Sequence, residues 1–168
     1  LFGRGIGGRG GDIRQHGEDY ADEFLRAMKA AKVKGQIILE LFSPAGNDFF
    51  KKVNAAIPNY NIQWSPDSTD EEVRRAFGKG YSNSEIESTI QGARENGCKR
   101  LDLFFMIGLP KQTYSSVMND AAYLRRLLGE FKHHRKVLPF ISPLAPFVDP
   151  GSKAFENPQK YGYRMFYR

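Results

Sequence analysis

The sequence predicts an α/β fold with parallel strands, on three observations. Amphipathic helical segments alternate several times with short apolar runs, the pattern of repeated βα units joined by right-handed crossovers. One run, Leu101 to Ile107 (LDLFFMI), is apolar at all but one position, as in a parallel-sheet strand covered on both faces. The segments that follow the apolar runs are short, small and proline-set, as ligand-facing βα loops tend to be.

Glu18 to Val33 opens the series as a helix, with Tyr20, Phe24, Leu25 and Met28 on one stripe, acids in its first turn and Lys29 and Lys32 in its last. Gln36 to Phe42 reads as a strand. Gly46 to Ile57 carries Phe49, Phe50, Val53 and Ile57 at helical spacing and stops at Pro58. Tyr60 to Trp64 is a second strand. Two capping-box signatures follow, Thr69 with Glu72 and Ser82 with Glu85, predicting a short helix to about Phe77 and a longer one to about Asn96. Leu101 to Ile107 is the third strand. Thr113 to Phe131 is a long helix with Val117, Ala121, Leu124, Leu128 and Phe131 expected inward, and Val137 to Ile141 is the fourth strand. Pro143, Pro146, Pro150 and Pro158 make the remainder mostly irregular.

Composition narrows the function classes. The 168 residues are 40% hydrophobic and 26% charged, with thirteen Phe and eight Tyr, which suits a folded domain with a sizeable core. No apolar run approaches the roughly 18 residues of a membrane span, and the Gly/Arg-rich start does not resemble a signal peptide; a cytoplasmic address and no membrane partner are expected. The net charge of +6 falls in the last quarter, where Arg125 to Arg168 holds nine basic and three acidic residues. That basic, aromatic end sets the competing reading, a non-catalytic module binding RNA or another acidic partner. A solvated end docked against a larger protein is the favoured alternative, so nucleic acid is not the favoured partner.

Few motifs carry chemistry by spacing alone. Gly3 to Gly8 formally matches G-x-G-x-x-G but has no strand before it, so a dinucleotide site fails on context. Gly10-Gly11-Asp12 can present carbonyls and a carboxylate to an ammonium group, or is simply the end of a Gly/Arg leader. Cys98 is the single cysteine, excluding an internal disulfide and any multi-thiolate metal site of this chain; it is expected to be structural. His133 and His134 sit in a basic helix end, and His16 is the only histidine near the expected site. No metal-ligand spacing and no G-x-S-x-G appear, so metal ligands are read as none and catalytic residues stay unassigned. The loops expected to face a ligand are Ser43 to Gly46, Ser65 to Ser68, Gly108 to Pro110 and Ser142 to Leu144.

Met106-Ile107-Gly108-Leu109-Pro110, ending a buried strand and followed by Lys111-Gln112-Thr113 and a helix, resembles the radical S-adenosylmethionine superfamily. There the matching segment holds the adenine. The likeness departs at Lys111-Gln112, where G-E is usual. Gly10-Gly11-Asp12 resembles the G-G-E that binds the methionyl amino group, and Ser65 and Asp67 resemble the positions that reach the ribose. Arg74 to Ser82 resembles the helix and exit after the ribose positions, which implies Lys79, or in second place Arg74 or Arg75, as partner of the methionyl carboxylate. Ile141 to Ser152 with Phe155 to Tyr163 looks like the barrel exit of the subgroup with an N-terminal cobalamin-binding domain.

The resemblance implies a partial TIM-like (β/α) barrel of mostly parallel strands over 1–142, then a C-terminal extended segment over 143–168. It also implies S-adenosylmethionine as cofactor, with a [4Fe–4S] cluster and cobalamin in the intact protein. The superfamily holds its cluster through three thiolates in C-x-x-x-C-x-x-C, and this chain has one cysteine. It is therefore expected to be a fragment lacking the first strand, cluster loop and first helix, inactive alone; a degenerate paralogue is the alternative. Its expected partner is the missing part of the barrel or a second copy.

Overall fold

A computed structural model of the protein describes residues 9–131, 137–143, 150 and 153–164. The Gly3 to Gly8 match, His133, His134 and Leu144 lie outside the described residues.

Five strands form one parallel sheet in chain order: β1 (Arg9–Gly10), β2 (Ile37–Leu41), β3 (Tyr60–Asp67), β4 (Arg100–Ile107) and β5 (Val137–Pro143). The four expected strands are all present, and the two-residue β1 is added to them at Arg9–Gly10. Between the strands run α1 (Glu18–Ala30), α2 (Asn47–Ala56), α3 (Glu71–Ala76), α4 (Asn83–Glu95) and α5 (Tyr114–Phe131). A strand order that follows the chain, with crossovers of one hand, returns every helix to the same side. The result is a length of barrel wall.

The two faces of the wall differ accordingly. Ile37, Leu39 and Leu41, then Tyr60, Ile62 and Trp64, then Leu101, Leu103 and Phe105 alternate onto the helix side. There they share one buried core with Leu25 and Met28 of α1, Phe50 and Val53 of α2, Ile86 and Ile90 of α4, and Leu124 and Leu127 of α5. Each large side chain fully buried there contributes about 1.5–3 kcal/mol. The intervening residues occupy the other face, where register sets Glu40 beside Gln63 and Gln63 beside Asp102. The α2–α4 packing depends on Gly92, where a Cβ would stand 2.8 Å from Asn47 Oδ1 and 3.1 Å from the Phe50 ring.

Three local expectations are corrected. The cap of α3 is Asp70, whose carboxylate accepts from the Glu72 and Val73 amides; Thr69 instead gives its amide and hydroxyl to Asp120. The inward stripe of α5 is Ser116, Asp120, Leu124 and Leu127, with Ala121 and Leu128 exposed. The helix is turned because Asp120 and Ser116 satisfy donors and acceptors of the β3–α3 loop. Strand β3 runs past Trp64 to Asp67 through a bulge. The Ser82–Glu85 capping box forms as expected. In the C-terminal segment, α6 (Lys153–Glu156) and a 3₁₀ turn (Pro158–Tyr161) bring Tyr163 back to the sheet.

Candidate functional site at the strand carboxyl ends

The bulge in β3 aims its last residues. Trp64 pairs with Leu103 and Asp67 with Phe105, so three steps on β3 match two on β4. Pro66 brings no N–H to the ladder at that point. Asp67 leaves the bulge with φ 70°, left-handed backbone that non-glycine residues adopt at a cost and that clusters at functional sites. Its side chain is 0% exposed.

Lys79 meets it from the turn after α3, where Gly78 takes φ 93°. Lys79 Nζ stands 2.6 Å from Asp67 Oδ2 and donates to the Ser65 carbonyl at 2.6 Å. Ser65 and Asp67, which the resemblance names together, and Lys79, which it gives to a different group, are therefore one cluster. Apart from that ion pair, neither Asp67 oxygen has a hydrogen-bond partner among the described residues. Burial pushes the Asp67 carboxyl above its usual range, more than the Lys79 and Arg74 charges draw it down.

Arg74 holds this turn in place and is not free for a ligand. Fully buried, it donates through Nε and Nη2 to the Tyr81 carbonyl at 3.0 and 2.6 Å. Its Nη1 donates to the Ser68 carbonyl at 2.5 Å and to Asn83 Oδ1 at 2.9 Å. Its guanidinium also lies over the Tyr81 ring. Arg75 is exposed.

On β4, Met106 is half-buried, Ile107 and Gly108 are exposed and Pro110 is buried. Gly108 turns the chain with φ 97°. The Gln112 side chain closes the loop: Oε1 accepts from the Gly108 and Leu109 amides at 2.8 and 3.2 Å, and Nε2 donates to the Met106 carbonyl at 2.9 Å. The Tyr163 hydroxyl donates to the Gly108 carbonyl at 2.9 Å.

Gly10 ends β1, Gly11 is exposed and Asp12 is 4% exposed. The Asp12 carboxylate accepts from Arg14 Nε at 2.9 Å, from Arg14 Nη2 at 2.6 Å, and from the Arg14 and Phe42 amides at 3.0 and 2.9 Å. Burial pushes its pKa up, and those hydrogen bonds outweigh it to hold the carboxyl below its usual range. Arg14 also reaches the Pro44 and Ser43 carbonyls at 2.7 Å each. Asp12 is thus the anchor that ties the end of β1 to the loop after β2, with its charge already matched.

Apart from Lys79, which reaches in from the turn after α3, the predicted residues fall at the carboxyl ends of β1, β3 and β4, where ligands meet parallel sheets. Sequence reasoning missed Arg14, Gln112, Asp120 and Tyr163. Only Asp120 left a signal, a carboxylate on the apolar side of a helix. No three His, Cys, Asp or Glu among the described residues are grouped to hold a metal. Cys98 is 2% exposed and its Sγ lies 3.2 Å from the Arg100 carbonyl, at the amino end of β4. His16 packs edge-on to Tyr20 on the exposed surface. A groove between α1 and α2, around the Asp22–Lys52 pair, contains none of the strand-end residues. In the basic end, Arg126 is committed to Glu87, to Glu130 and to the Tyr123 ring. No helix among the described residues is long and apolar enough to cross a membrane.

No protein-family model matches the chain, and no curated protein does. Solved structures share its fold, two radical SAM enzymes among them. Coproporphyrinogen III oxidase (HemN) from Escherichia coli, a radical SAM enzyme, superposes with a TM-score of 0.59 at 18% identity over 76% of this chain and 30% of that one. The radical S-adenosylmethionine methyltransferase TsrM from Kitasatospora setae, solved with tryptophan and aza-SAM bound, gives 0.55 at 17% identity over 69% and 24%. The chain therefore spans less than a third of either neighbour, and its fold is that of part of a radical SAM TIM-like barrel.

Proposed function

We propose that this chain is the S-adenosylmethionine-binding part of a radical SAM enzyme. The carrying observation is Asp67, a buried carboxylate on strained backbone whose oxygens have no partner among the described residues besides the Lys79 ammonium. An ionised carboxylate only accepts, and a vicinal diol brings two donors to it; a ribose is such a diol. The neighbouring Met106–Pro110 loop, the segment that the resemblance gives to the adenine, leaves the Ile107 side chain exposed for apolar contact with a nucleobase. Lys79 pairs with the methionyl carboxylate by turning from Asp67. Asp12 is already matched by Arg14, so the ammonium contact falls to the Gly10 and Gly11 carbonyls.

The described residues do not fit an iron–sulfur cluster, because their single thiol, Cys98, lies at the opposite end of β4. The proposal therefore includes a partner, another polypeptide or segment that supplies the thiolates. Part of the 141–163 segment that resembles the cobalamin subgroup lies outside the described residues.

Calorimetric titration of the 168-residue chain with adenosine and with 2′,3′-dideoxyadenosine tests the reading. Hydrogen bonds to a charged group are worth about tenfold or more in affinity, so adenosine should bind at least about tenfold more tightly. Equal affinities, or no binding of either, refute it.

A further inference from the structure

Four helices of ten residues or more cover the wall. Three of them turn charged or amide side chains outward: α1 shows Glu23 and Arg26, α2 Asp48 and Lys51, α4 Gln91 and Glu95. The outer face of α5 differs. Tyr114 is 82% exposed and Met118 and Leu128 are 49% exposed each, and with the exposed Ala121 and Arg125 they recur at intervals of four, three, four and three. That is the 3.5-residue repeat of a helix-packing seam. It runs opposite Ser116, Asp120, Leu124 and Leu127, which already hold the helix to the sheet, so this second stripe is left facing solvent.

Two side chains of the stripe identify its occupant. Arg125 and Tyr114 make no hydrogen bond, ion pair or ring contact among the described residues, and they stand about 16 Å apart along the helix, too far to meet within one copy. In an antiparallel pair of α5 helices, the seam sets Tyr114 opposite Arg125 of the second copy and Met118 opposite its Ala121, and each layer occurs twice. A guanidinium over an aromatic face is attractive, and a long side chain against a small one fills the space between helices. A parallel pair would instead set Arg125 against Arg125.

We propose that the outer face of α5 pairs with the same face of a second copy, antiparallel and two-fold symmetric. One helix of 18 residues supplies fewer contacts than the roughly 20–30 residues per side of a standard interface, so the dimer is weak and exchanges readily. The inner face of the same helix carries Ser116 and Asp120, which hold the β3–α3 loop. Pairing therefore steadies the helix that braces the candidate site.

Sedimentation equilibrium of the 168-residue chain should show a monomer–dimer equilibrium. Met118→Glu and Ala121→Lys, both at exposed positions, should each weaken it at least about tenfold, because each buries a charge against an apolar neighbour. Mixed in equal amounts, the two variants should form a heterodimer within about threefold of native affinity, since the carboxylate introduced in one meets the ammonium introduced in the other. Arg125→Ala should weaken the native dimer at least about fivefold, the ring contact being lost twice, and it decides the matter if a charged variant does not fold. A native chain that stays monomeric at about 1 mM, an association that none of these substitutions weakens, or a mixture no tighter than its components overturns the proposal.

Discussion

Replacing Lys79 with methionine isolates the electrostatics of the β3 terminus. Methionine keeps most of the aliphatic length and removes the ammonium that stands 2.6 Å from Asp67 Oδ2. The carboxylate left behind is fully buried and has no hydrogen bond among the described residues. Breaking a buried pair costs about 3–5 kcal/mol, and Lys79 is itself 24% exposed, which lowers the expectation to about 2 kcal/mol at pH 7. For a chain of this length that is a fall in Tm of about 4–8 °C. The loss must depend on pH. Burial already raises the Asp67 pKa above its usual value, with Lys79 opposing, and the variant raises it further. A group whose folded pKa is raised binds its proton more tightly when folded, so the penalty is full above that pKa and fades as pH falls through it. Urea unfolding of native protein, Lys79→Met and Lys79→Met/Asp67→Asn between pH 4 and 8 measures this. The double variant should recover most of the loss at pH 7, because asparagine tolerates φ 70° and carries no charge. A destabilisation that is the same at every pH, or a double variant no better than the single one, refutes the reasoning.

Two further outcomes follow from the packing. Gly92→Ala should cost about 1–3 kcal/mol as overpacking, read as a lowered urea midpoint at constant m; an Asn47→Ala background should recover part of it, since Asn47 Oδ1 is the nearest atom at 2.8 Å. Asp12→Asn should be less stable than native protein at pH 7. The Asp12 pKa is held low, burial notwithstanding, by its hydrogen bonds, so its contribution is present above the unfolded value near 4 and lost as pH falls through the lower folded value. The urea midpoints of the two proteins should therefore converge toward pH 3.

What was legible in the sequence is what neighbours along the chain decide. The strands announce themselves as short apolar runs, from which Ile37, Leu39 and Leu41 and their counterparts on β3 and β4 fill one buried face. Ser82 and Glu85 cap each other within one turn. Thr69 and Asp70 stand side by side, both able to cap, and the choice between them is made by Asp120, 51 residues away from Thr69. The same carboxylate turned α5 away from the stripe its apolar residues suggest. The sequence ends this strand at Trp64 and makes Ser65 to Ser68 a loop, because a bulge depends on the partner strand's register. At the site, small and proline-set loops mark the carboxyl end of the sheet, but nothing along the chain joins Lys79 to Ser65 and Asp67; their contact is a product of the bulge and of the turn at Gly78. Asp12 carried the right chemistry for a ligand contact, yet Arg14, two residues on, matches its charge.

The ties between the β3–α3 and β4–α5 loops bear on binding thermodynamics. Asp120 of α5 accepts from Ser68 and Thr69, Ser116 of α5 donates to Asp70, and Lys111 pairs with Glu72. The β3 side and the β4 side of the candidate site thus form one cross-braced body. A ligand spanning them meets walls whose mutual spacing was fixed during folding. It spends little free energy on ordering backbone, and its affinity reports the fit of its own shape and donors to a preset gap.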